Sequence, residues 1–152
     1  NFNNVAFPFF GKEIYFSLFG KKGFIESQIL IDYEKVGPFI KSFKSLIDIH
    51  KPTITLFSIK GMSGEHQYLR FEGNMICLTF DVVNNNKSII FLNELDQLYI
   101  KFNVLPSIIK DSRISKEVFD KCYKFADMFR KDLKIFDNKR YYKSEMSDRL
   151  GL

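Results

Sequence analysis

Met75-Ile76-Cys77-Leu78-Thr79-Phe80-Asp81-Val82-Val83 alternates apolar with mixed positions at a period of two, the signature of a strand with two unlike faces. Ile76, Leu78, Phe80 and Val82 share one face, and Met75, Cys77, Thr79 and Asp81 share the other. Phe24-Ile25-Glu26-Ser27-Gln28-Ile29-Leu30-Ile31 repeats the pattern, with Ile25, Ile29 and Ile31 set against Phe24, Glu26, Gln28 and Leu30. Two strands of this kind call for helices on their shared apolar face and leave the opposite face to be explained.

The flanking segments supply those helices. Val36, Phe39, Ile40, Phe43, Leu46 and Ile47 recur at three- and four-residue steps, which predicts an amphipathic helix whose first turn tolerates Pro38. Residues 53–60 are β-branched and aromatic enough for a strand, expected to end in the glycine-bearing loop Gly61-Met62-Ser63-Gly64. Asn84-Asn85-Asn86 signals a turn, after which Phe91, Leu95, Leu98, Tyr99 and Phe102 mark a second helix leading to a short strand over 104–108. The order strand, helix, strand, strand, helix, strand predicts an α+β fold of the ferredoxin-like kind, an antiparallel sheet with helices on one face. Further on, Ser115 is placed to cap a third helix carrying Val118, Phe119, Cys122, Phe125, Ala126 and Phe129, and a last helix is expected over 144–150.

The chain has 152 residues, of which 45% are hydrophobic, enough for one domain with its own core. No apolar run reaches the roughly 18 to 20 residues of a membrane helix, and no signal-peptide layout opens the chain, so it reads as cytoplasmic. It begins Asn1-Phe2-Asn3-Asn4 and continues through Phe7, Phe9, Phe10, Tyr15, Phe16 and Phe19. Residues 1–23 therefore read as the aromatic-rich lead-in of a truncated chain, whose apolar side chains cover an interface, and residues 24–152 as the domain proper. The net charge is +5; from residue 121 onward nine Lys/Arg stand against five acids. Such an excess suits nucleic acid, anionic lipid or a phosphorylated substrate, but mixed-sign charge also describes an ordinary solvated helix face.

Chemistry-bearing patterns are sparse. Cys77 and Cys122 are 45 positions apart without a CxxC pair, and His50 and His66 add no ligand spacing, so no metal site is expected. Cys122 falls on an apolar stripe and reads as core. Gly20-Lys21-Lys22-Gly23 lacks the GKS/T ending of a phosphate loop and precedes a strand, so it reads as a turn. Lys110-Asp111-Ser112-Arg113 lies between a strand and a helix, where a short polar turn could aim Lys110 back across the sheet end; the plainer reading is a loop with a local Asp/Arg pair. The face bearing Glu26, Gln28, Cys77 and Thr79 is too polar for a second dry core and should meet a partner domain, a ligand or water.

Four segments in order, Phe19-Gly20-x-x-Gly23-Phe24-Ile25-Glu26-x-Gln28, Asn74-Met75-Ile76-Cys77-Leu78-Thr79-Phe80, Lys110-Asp111-Ser112-Arg113 and Lys143-Ser144-Glu145-Met146-x-x-Arg149-Leu150-x-Leu152, resemble the decaprenylphosphoryl-β-D-ribose 2′-oxidase family over residues 15–152. Those FAD-linked oxidases pair an N-terminal flavin-binding domain with a C-terminal domain that lies over the flavin ring, and this chain resembles the second alone. The resemblance implies that the polar sheet face looks toward the isoalloxazine and that a polyprenyl-phosphate pentose or similar sugar is held between them. Its alcohol would be oxidised to a ketone, with hydride passing to the flavin. By position, Lys110 would lie against flavin and substrate as the catalytic and cofactor-contacting cation, Gln28 would contact the sugar, and Cys77 would line the pocket. Lys60 is a further substrate-side candidate, although the family's pocket lysine aligns nearer Ser58. Tyr15-Phe16 stand where the family usually has Trp-Asn, Phe19 replaces a tyrosine, Met75 an asparagine and Asp32 a proline.

No flavin-phosphate motif lies in this chain, so the resemblance implies an FAD-binding domain or subunit as partner, an isolated chain without activity, and peripheral membrane contact as a further option for a lipid-linked substrate. The alternatives are a non-catalytic remnant and a protein- or nucleic-acid-interaction module. The nucleic-acid version calls for a basic sheet, and the predicted face carries Glu26, Gln28, Cys77 and Thr79 instead, so no nucleic acid partner is expected.

Overall fold

The computed structural model of the protein describes residues 17, 19–65 and 68–152. Most of the aromatic lead-in, including Tyr15 and Phe16, lies outside the described residues, as does His66. The elements are β1 (Phe24–Asp32), α1 (Tyr33–His50), β2 (Ile54–Gly64), β3 (Gly73–Val83), α2 (Asn86–Phe102), β4 (Leu105–Pro106), α3 (Lys116–Cys122), α4 (Ala126–Phe136) and α5 (Glu145–Leu150). The four strands form one antiparallel sheet in the order β2-β3-β1-β4. This is the α+β, ferredoxin-like arrangement that the alternation of β1 and β3 predicts.

Register explains why the helices gather on one face. Ile29 lies opposite Leu78, Ile31 opposite Ile76 and Ile25 opposite Val82, so the apolar positions of both central strands form a continuous surface. Onto it α1 brings Phe39, Phe43 and Leu46 and α2 brings Phe91, Leu92, Leu95 and Tyr99. The Phe43 ring sits 5.4 Å from Phe80 and 6.0 Å from Phe91, separations at which tilted aromatic pairs add to simple area burial. Ser27 is the polar intruder on this face, and a 3.0 Å hydrogen bond with the Tyr99 hydroxyl satisfies it, as burial requires.

Local signals fix the helix ends. Asn85 accepts the Ser88 backbone N–H and so caps α2; the triple asparagine starts a helix instead of forming a free turn. Lys51 and Asn103 close α1 and α2 in the left-handed region, at φ 46° and 47°. Ser115 caps α3 by accepting from Val118 N–H, and Ser144 forms a capping box with Ser147 at the start of α5.

Three expectations need correction. β2 does not stop before the glycines but runs through them, with Gly61 opposite Ile76 and Gly64 opposite Gly73, because the ladder needs only backbone donors and acceptors. The last strand is two residues long, not five. The single third helix is two: α3 ends at Cys122, Tyr123 takes an extended conformation, and α4 begins at Ala126. The break falls at Tyr123, whose hydroxyl donates to the Pro106 carbonyl at 2.6 Å and so ties the chain to β4. Among the described residues no helix is long and apolar enough to cross a membrane.

Phe80 is fully buried at the meeting point of β3, α1 and α2. Phe80→Ala should cost about 3–5 kcal/mol, read from the urea midpoint of unfolding at unchanged m-value.

Candidate functional site

The face of the sheet turned away from α1 and α2 divides into two regions. Toward one end Leu30, Met75 and Cys77 form a small second core, over which Phe71 and Leu105 pack. Phe71 reaches this position from the connection between β2 and β3 and lies directly on Gly64, where an added Cβ would come within 2.6 Å of the ring. A side chain at residue 64 would lift the ring off the sheet. The expectation that this face holds no dry core is therefore wrong at this end: Cys77 is 1% exposed, because Leu30, Met75 and Phe71 surround it.

Toward the other end the face is polar. Gln28 donates from Nε2 to Thr79 Oγ1 at 3.1 Å, and Thr79 Oγ1 lies 3.7 Å from Cys77 Sγ. The register places Ser58 opposite Thr79 and Lys60 opposite Cys77, so both β2 residues stand on this same face, Ser58 beside the polar row and Lys60 exposed at the edge. Glu26 stands opposite Asp81 in the register one step further along, with Asp81 and Thr79 buried and Glu26 and Gln28 partly open. Lys110 approaches from the turn after β4, where Ser107 N–H bonds the Gln28 carbonyl at 2.8 Å and Lys110 N–H bonds the Ser107 carbonyl at 3.1 Å. Its Nζ lies 3.4 Å from Glu26 Oε2, and both side chains remain partly open to water. The structure thus brings Lys110, Gln28, Cys77 and Lys60 to one face, with Cys77 beneath its surface.

The turn that carries Lys110 is held from three directions. Asp111 Oδ2 accepts from the backbone N–H groups of Arg113 and Ile114 at 3.0 and 2.9 Å and from Arg149 Nη1 at 3.0 Å. Arg149, on α5, also donates to the Ile114 carbonyl at 2.5 Å. Arg113 turns the other way and makes a bidentate pair with Asp96 of α2 at 2.7 and 2.5 Å. The local Asp/Arg side-chain pair considered for this loop does not form: each of Asp111 and Arg113 has a distant partner. Burial raises the Asp96 carboxyl pKa despite the opposing pull of Arg113, while burial lowers and Asp96 more than restores the Arg113 guanidinium. Removing either partner would strand a largely buried charge.

Sequence reasoning missed Asp96 and Phe71, and gave Arg149 no role beyond its place in the C-terminal segment. Asp96 was detectable in principle, since it shares a helix face with Leu92, Leu95 and Tyr99 and a carboxylate there demands a cation. Phe71 had no signal, because its position depends on how the β2–β3 connection folds back. His50 meets Glu94 at 3.0 Å and packs edge-on against Phe91, away from the polar row. Among the described residues no cluster of His, Cys, Asp or Glu could hold a metal ion.

Burial also decides the chemistry of the second thiol: desolvation first, and Asp96 second, push the Cys122 thiol up to about 12, so it stays protonated near neutrality. No family model matches the sequence, and no curated protein does.

With both cysteines buried, the folded chain should show no thiol reactive to a disulfide reagent at pH 8. Phe71→Ala should expose Cys77 and yield one reacting thiol, with Cys122 still protected. An unchanged count of zero in Phe71→Ala would show that Phe71 is not what covers Cys77.

Proposed function

We propose that the chain is the substrate-side part of a two-part FAD-dependent oxidoreductase that oxidises a sugar alcohol, of the polyprenyl-phosphate pentose kind, to a ketone. The observation that carries the reading is the polar end of the sheet face turned away from α1 and α2, where Lys110 stands over Glu26 beside the Gln28–Thr79 pair. Helices α1 and α2 cover the other face, so among the described residues this is the side of the sheet on which a second domain or a ligand would meet the polar row.

The residues present fit one side of a flavin site and not the whole of it. The Gly20–Gly23 turn, with both glycines at positive φ, runs into β1 and not into a helix, so it offers no helix N-terminus for a diphosphate. A flavin-binding domain or subunit would hold the cofactor, and the flavin, once bound there, would accept the hydride. Lys110 would supply a fixed cation at the rim, stabilising negative charge as it develops on the ring. Gln28 donates to Thr79 and keeps its carbonyl oxygen without a partner among the described residues, which suits a sugar hydroxyl. Lys60, exposed on β2, would act at the pocket's edge. Cys77 would shape the floor from below without chemistry of its own. The site therefore orients substrate and biases charge, and Asp111, Arg113 and Arg149 keep Lys110 in place while it does so.

The test is anaerobic reduction of the assembled protein, this chain together with its flavin-binding part, by a polyprenyl-phosphate pentose, followed by the loss of flavin absorbance. Lys110→Ala should slow reduction by about 100-fold with the melting temperature unchanged, because Lys110 is half exposed. Reduction at the parental rate would remove Lys110 from the proposed role, and no reduction of the parent by any such sugar would overturn the function.

A further inference from the structure

Helix α4 is thinly buried: Ala126 is the one residue of its eleven that is buried. Its apolar stripe of Ala126, Phe129, Leu133 and Phe136 continues past the point where the fold covers it. At its end Ile135, Phe136, Tyr141 and Tyr142 are 79%, 79%, 76% and 77% exposed. Exposed single apolar residues are ordinary, but four large ones within eight positions are a patch.

The patch is a built feature. Asp137, itself buried, accepts the backbone N–H groups of Tyr141 and Tyr142 at 2.8 Å each. This bend takes Arg140 to φ 54° and folds the chain back on α4, so that the Phe136 and Tyr142 rings stack at 6.4 Å. A tip tied in this way presents its rings outward at little cost in side-chain entropy.

Its charge points to one kind of surface. Residues 131–143 hold five cations, Lys131, Lys134, Lys139, Arg140 and Lys143, against two acids. Both acids are engaged, Asp132 by the Tyr68 hydroxyl and Asp137 by backbone. Arg140 and Lys143 share Asp148, while Lys131, Lys134 and Lys139 have no ion-pair partner among the described residues. Aromatic and aliphatic tips rimmed by unpaired lysines match the boundary between headgroups and acyl chains of an anionic bilayer. We infer that the α4 tip, Ile135 to Tyr142, docks the protein peripherally on an anionic membrane surface, with Phe136, Tyr141 and Tyr142 inserted and Lys131, Lys134 and Lys139 over the headgroups. This inference does not depend on the proposed oxidation.

The test is co-sedimentation of the whole chain with vesicles of phosphatidylcholine alone or with a quarter phosphatidylglycerol. Binding is expected to the anionic vesicles only and to fall with added salt. Lys134→Gln with Lys139→Gln should weaken it about fivefold per cation removed. Phe136→Ser with Tyr142→Ser should abolish it while leaving circular dichroism and melting temperature unaltered, since both rings are exposed. Parental chain that stays in the supernatant with anionic vesicles, or binding that survives the Phe136/Tyr142 change, would overturn the inference. So would a patch that instead mediates self-association, seen as concentration-dependent dimers lost in that same variant without any vesicle binding.

Discussion

Pairing of β1 with β3, Ile29 against Leu78 and Gln28 against Thr79, divides the molecule into an inside and an outside. Because side chains alternate at period two, a slip of one residue would exchange the faces, bringing Glu26 and Gln28 under the helices and Ile29 and Ile31 out. Everything else follows from that register. The helices α1 and α2 collect on the apolar side, the edge strands extend the surface, and the polar residues are left in a row on the side turned away from α1 and α2.

The outer face is not uniform, and its division is what makes it a candidate site. Phe71 seals Leu30, Met75 and Cys77 at one end, while Glu26, Gln28 and Lys110 stay reachable at the other. A rigid apolar floor next to a polar row is a common plan for binding sites, in which shape comes from the first and orientation from the second. The Asp111–Arg149 and Asp96–Arg113 pairs tie the lysine-bearing turn to the C-terminal helix and to α2. The C-terminal segment thus contributes to the geometry of Lys110 without touching the sheet face itself.

What the sequence made legible was whatever depended on local period and on capping. The two central strands, α1, α2 and the capped starts at Ser115 and Ser144 were readable because each signal lies within a few residues of its effect. The break between α3 and α4 was not, since it depends on Tyr123 reaching the Pro106 carbonyl, a contact visible only after β4 is placed. The continuation of β2 through Gly61 and Gly64 was hidden for the same reason: glycine weakens a strand in isolation, but here a paired β3 and the Phe71 ring lying on Gly64 make it the fitting residue. Of the candidate site, the shared face of Gln28 and Cys77 followed from alternation alone, whereas the placement of Lys60 on it, the burial of Cys77 and the Lys110–Glu26 pair needed tertiary structure.

The claim that most needs testing is that the polar sheet face, and not the helical side, is where a flavin-bearing partner sits. Ser58→Cys would place a reactive thiol on that face, in a chain whose two native cysteines are buried, and Ile49→Cys would place one on the exposed side of α1. A fluorophore attached at residue 58 should be strongly quenched when the FAD-loaded partner is added, while the same label at residue 49 should change little. Equal responses at the two positions, or quenching at residue 49 alone, would contradict the account.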